Sequence, residues 1–182
     1  MRCLRSLLPR RGCGLILGAF LGLWAGIATA QDYHRFVPGS LSQILAARPG
    51  KPLVLVLWST DCSACVSELS VLARGVQEHP DMDLVFVATD DAARADEAQR
   101  VLSRHGLGDR ESWIFADTNP QRLRYEIDPR WYGELPRSYF YDHAHRRVPV
   151  SGKLQQQHLK RWAALIRTQP ASDSPAKPPR DS

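Results

Sequence analysis

The chain has 182 residues, 43% of them apolar, with 24 lysines and arginines against 19 acidic residues. That length holds one domain plus a targeting segment, and that apolar share suits an ordinary globular core. The positive excess does not argue for a nucleic-acid partner, because Arg2, Arg5, Arg10 and Arg11 precede the first apolar run and the rest is nearly neutral.

Residues 1–30 read as a secretory signal peptide. An arginine-bearing start is followed by apolar Leu15–Ile27 and by Ala28-Thr29-Ala30, an A-x-A cleavage pattern before Gln31. An apolar run of about 13 residues is short for a membrane span, which needs roughly 20. A membrane role therefore arises only if the leader stays uncleaved as an anchor. Export implies the periplasm.

The domain expected over 31–168 begins irregularly through Val37-Pro38-Gly39, then forms a short helix over Ser40–Arg48 stopped by Pro49-Gly50. Pro52–Trp58 is a nearly unbroken apolar run, the pattern of a central strand covered on both faces. Val66, Leu69, Leu72 and Val76 then recur at helical spacing until His79-Pro80 ends the helix. A second strand is predicted over Leu84–Ala88, and Thr89-Asp90-Asp91 caps a polar helix from Ala92 to His105. Ser112–Phe115 is a short strand, and Asn119-Pro120 opens a helix that Asp128-Pro129 closes. Arg137–Tyr141, a polar turn and Arg146–Val150 form a hairpin, followed by a last amphipathic helix over Gln155–Arg167. Residues 169–182 are rich in proline, serine and charge and read as a disordered tail. Alternating strands and helices imply a parallel core, with the hairpin as an antiparallel edge.

Between the first apolar strand and its helix stands Trp58-Ser59-Thr60-Asp61-Cys62-Ser63-Ala64-Cys65. Two cysteines two residues apart at a strand-to-helix turn are a redox arrangement, since one helical turn brings both sulfurs within bonding reach. Cys3 and Cys13 fall in the leader, so the mature chain holds one possible pair, too few for a disulfide scaffold. An inert disulfide and a metal site are the competing readings. A bond that closes so small a loop constrains the unfolded chain little, which weakens the first. Cys62, at the helix start, is the nucleophile, and Cys65 is the resolving thiol. His143 and His145 lie in a polar turn with no third ligand nearby in sequence and read as solvated; no metal and no cofactor is assigned.

A strand ending in Trp58, then C-x-x-C, then a proline opening a late hairpin together resemble the thioredoxin fold. The likeness is to the TlpA/ResA-like thiol-disulfide proteins of the bacterial cell envelope, over roughly Pro38 to Thr168. The resemblance implies an α/β fold, a three-layer sandwich with a central mixed sheet flanked by helices. It implies that Pro136 is a cis-proline facing the cysteines and that Leu135 offers its backbone to an extended substrate. It also implies that Glu68 accepts a proton from Cys65, whereas residue type alone fits a solvated carboxylate equally. Trp58 is expected as packing beside the site, with substrate contact the lesser role. Asp61, Ala64 and Val56 depart from the pattern; Asp61 opposes thiolate formation at Cys62, because a neighbouring negative charge raises a thiol pKa. The implied function is an exported thiol-disulfide oxidoreductase that reduces protein disulfides in cytochrome c or copper-site maturation. Its partners are disulfide-bearing proteins and a membrane or periplasmic redox donor. A thioredoxin-fold binding or metal-handling module without disulfide turnover is the alternative.

Overall fold

The computed structural model describes residues 33–168. The expected leader and tail, including Cys3 and Cys13, lie outside those residues. The elements are β1 (His34–Phe36), α1 (Ser40–Ala46), β2 (Leu53–Trp58), α2 (Ser63–Glu78) and β3 (Leu84–Ala88). A 3₁₀ turn over Ala92–Arg94 leads into α3 (Ala95–Arg104), followed by β4 (Ser112–Phe115) and α4 (Pro120–Ile127). The described residues close with β5 (Arg137–Tyr141), β6 (Arg147–Ser151) and α5 (Gln156–Thr168). Among the described residues no helix is long and apolar enough to cross a membrane.

The strands form one sheet in the order β1-β4-β3-β2-β5-β6. β1, β4, β3 and β2 run parallel, and β5 and β6 are antiparallel to their neighbours. Central β2 and β3 are buried along their whole length, as continuous apolar runs require when helices cover both faces. On one face, Val54, Val56, Trp58, Leu84 and Phe86 meet Leu69 and Leu72 of α2, Leu102 of α3 and Leu159 of α5. On the other, Leu53, Leu55, Leu57, Val85 and Val87 meet Ile44 of α1 and Leu123 of α4. These are the three expected layers.

Two expectations change in detail. β1 replaces an irregular start: His34–Phe36 pair with Trp113–Phe115, and only Phe36 of the three is buried, so the strand exists by pairing and carries no alternation of its own. The polar helix after β3 begins as a 3₁₀ turn, because Asp91 caps Ala93 and not the later α-helical residues.

Candidate active site

α2 starts where β2 ends. Cys62 is its N-cap, with extended backbone dihedrals, and its Sγ accepts the backbone N–H of Cys65 at 3.1 Å. A sulfur at this position faces unpaired helix donors and the positive end of the helix dipole, which favour its anionic form. Cys62 and Cys65 are joined in a disulfide with Cα atoms 5.2 Å apart. Cys62 is half-buried at the margin of the core, whereas Cys65 is only 2% exposed within it.

Glu68 lies one helical turn beyond Cys65 on the same face. It is buried, not solvated, and accepts the Leu154 backbone N–H at 2.6 Å. Burial pushes its carboxyl up to about 7, against the opposing pull of that hydrogen bond and of Lys153. A carboxyl so placed exchanges protons near neutrality.

The Leu135–Pro136 peptide is cis. β5 pairs with β2 from Leu57 opposite Arg137, which sets Pro136 level with Trp58 at the end of the sheet that carries the cysteines. Pro136 is buried and its carbonyl accepts the Gly152 N–H at 2.9 Å. Leu135 precedes the first paired residue of β5, so its backbone stands outside the β2–β5 ladder. Trp58 is 1% exposed and packs in the core beside Cys65. With its side chain enclosed, Trp58 leaves almost no surface for the lesser, substrate-contact role.

Sequence reasoning missed a cluster ahead of Cys62. The carboxylate of Asp90, just past β3 and fully buried, accepts from Thr60 Oγ1 at 2.6 Å, Ser59 Oγ at 3.1 Å and the Thr60 N–H at 3.2 Å. Arg94 then forks onto Asp61, Nη1 to Oδ2 at 2.5 Å and Nη2 to Oδ1 at 2.9 Å, and also reaches Asp90 at 3.1 Å and Glu97 at 2.9 Å. The guanidinium holds the Asp61 carboxyl below its usual range. In the sequence Thr89-Asp90-Asp91 looks like a helix cap. Only Asp91 serves as one, and nothing local links Asp90 or Arg94 to residues 59–61.

The histidines are also corrected. His143 Nδ1 lies 2.8 Å from the Gly50 carbonyl and Nε2 3.0 Å from that of Ile166, while His145 Nε2 lies 2.9 Å from the carbonyl of Arg48. They tie the hairpin turn to the fold rather than standing in water. Among the described residues no group of three or more His, Cys, Asp or Glu side chains is placed to hold a metal ion.

No family model matches the chain and no curated protein matches it. Solved structures do. A secreted Mycobacterium tuberculosis disulfide oxidoreductase homologous to E. coli DsbE aligns over 66% of this chain and 85% of its own, with TM-score 0.54 and 23% identity. A DsbF homologue from Corynebacterium diphtheriae aligns over 66% and 75%, with TM-score 0.54 and 20% identity. A thioredoxin-related protein from Neisseria meningitidis serogroup B aligns over 65% and 87%, with TM-score 0.53 and 18% identity. The fold is thioredoxin-like.

Proposed function

We propose that this protein is a thiol-disulfide oxidoreductase that reduces disulfides of other proteins in the periplasm. The observation that carries the reading is the asymmetry of the Cys62–Cys65 pair: a half-buried cysteine at a helix N-cap joined to a fully buried one. The solved structures similar in fold include proteins described as disulfide oxidoreductases, one of them secreted, which supports the same reading. Export itself rests on the signal-like residues 1–30.

In the reduced protein the Cys62 thiolate attacks one sulfur of a partner's disulfide. A Cys62–partner bond forms, the partner's internal S–S bond breaks, and its second sulfur leaves as thiolate and takes a proton. Cys65 then gives its proton to the Glu68 carboxylate and attacks Cys62 Sγ, expelling the first partner sulfur as thiolate. The partner gains two electrons, and Cys62–Cys65 becomes the disulfide of the oxidised state. Leu135, outside the sheet ladder, pairs with extended substrate backbone at the rim beside Pro136. A periplasmic or membrane-bound dithiol donor returns the pair to its reduced form. Clients of this kind include apocytochromes and copper-site proteins, whose cysteines must be reduced before they take their cofactors.

Redox titration of the purified protein tests the chemistry. A reversible two-electron transition confined to Cys62 and Cys65 is expected, and its absence overturns the reading. Direction follows from the potential, since about 30 mV is tenfold in equilibrium for a two-electron couple. Cys65→Ala should trap partners as mixed disulfides on Cys62 in an envelope extract, and these name the clients.

A further inference from the structure

Asp61 sets a problem for any thiolate at Cys62. It is the adjacent residue, its side chain is 76% exposed, and a carboxylate there raises the pKa of the neighbouring thiol. The structure contains an answer supplied from another strand connection. Arg94 lies at the end of the 3₁₀ turn after β3, and its planar fork makes two hydrogen bonds to the two Asp61 oxygens. The same guanidinium touches Asp90, whose buried carboxylate holds Ser59 and Thr60. The loop that leads into the nucleophile is therefore fastened to β3 by hydrogen bonds and its outermost charge is matched by a cation.

We propose that Arg94 is a positioning residue for Cys62: by pairing with Asp61 it cancels the field that would protonate the thiolate, and through Asp90 it fixes the loop on which the sulfur rides. The inference rests on the exchange reading above and adds a regulator to that site. The charged groups on this side of the molecule are Asp61 on the cysteine loop, Asp90, Asp91 and Arg94 from the β3–α3 connection, Glu97 from α3, and Glu68 from α2 with Lys153 acting on it. Arg94 is the cation bonded to both Asp61 and Asp90, so its loss leaves the carboxylate adjacent to Cys62 without that pairing. Glu97 explains why Arg94 holds its pose: the bond between them braces the guanidinium from the far side. Arg94 does not touch the reacting sulfur's partner and does no chemistry itself.

The test uses the full chain with Cys65→Ala, so that Cys62 titrates without its partner. Alkylation of Cys62 by iodoacetamide is followed across pH and read on its own peptide by mass spectrometry, apart from Cys3 and Cys13. Arg94→Met should raise the apparent pKa of Cys62. At pH values below the pKa, one unit removes tenfold of the thiolate but returns about threefold in nucleophilicity, so a one-unit rise slows alkylation there about threefold, and the midpoint of the profile moves up by that unit. Asp61→Asn, which removes an exposed carboxylate and leaves Arg94 unopposed there, should lower the pKa and needs no help from Arg94→Met folding. The double variant should return toward the parent. A profile unmoved by both single variants overturns the proposal. So does an Arg94→Met rise that Asp61→Asn fails to reverse, since that marks a disordered loop and not a charge effect. None of these outcomes depends on reversible oxidation of the wild-type pair, so failure of the exchange reading is seen separately in the redox titration.

Discussion

Glu68 is the residue whose state changes most between sequence and structure. As the sixth residue of an amphipathic helix it could face water, yet in the fold it is buried and bonded to the backbone of Leu154, far away in sequence. Its carboxyl, raised to about 7, carries a sign that can be measured. Between the ordinary carboxylate pKa and that value the unfolded chain has released a proton that the folded chain keeps. Stability contributed at this site therefore falls as pH rises through that window and is fully lost above it. Glu68→Gln, examined in the oxidised protein so that no thiol titrates, should gain stability over wild type on the order of 2–3 kcal/mol at pH 8. The gain should shrink toward zero near pH 4.5 in denaturant melts. A difference that is the same at both pH values means that no proton is held there.

At the scale of elements, the hairpin turn shows how a polar stretch becomes a tether. Both ring nitrogens of His143 face carbonyl oxygens, one before β2 and one near the end of α5. Two acceptors call for two N–H donors, so the bound form is the imidazolium, and these hydrogen bonds raise its pKa. A raised histidine stabilises fully below its unfolded pKa and loses that contribution as pH rises through the folded one. His143→Gln should therefore cost more thermal stability at pH 5.5 than at pH 9, read by calorimetry; an equal cost at both removes the imidazolium from the account. No local pattern announces this, because both acceptors come from distant segments. The strands and helices themselves were readable: β2 and β3 from continuous apolar runs, α4 from Asn119-Pro120 and Asp128-Pro129. β1 was not, since three residues with one buried side chain carry no period and need β4 beside them.

Across the whole molecule the two ends of the sheet divide the labour. The cysteines, Asp90 and Pro136 gather where β2 and β3 finish, the carboxyl edge at which α/β sheets place their sites. At the opposite edge Arg48 joins Asp83 and Glu111, each at 2.6 Å, ahead of β3 and β4, and the histidine turn closes nearby. Arg48→Met leaves two partly exposed carboxylates unpaired and should cost about 2 kcal/mol, less than a fully buried pair. It should leave Cys62 alkylation unchanged; a shift in that rate shows that the far edge reaches the site. The cysteine pair could be picked from the sequence because its chemistry is written in local spacing, whereas Pro136 stands far along the chain from Cys65 and was legible only through the resemblance. The Asp90–Arg94 cluster could not, because its meaning depends on which loop β3 delivers it to.

Under the exchange mechanism proposed above, burial of Cys65 behind the half-buried Cys62 has a kinetic consequence for a client held on Cys62. The thiol that releases it is already inside the molecule and shielded from small thiols in solution. Release by Cys65 is then a first-order event whose rate the protein sets for itself, alongside whatever reductant in solution contributes. The dwell time of a captured client becomes a property of α2 and Glu68, and substitutions there can lengthen it without changing how fast clients arrive.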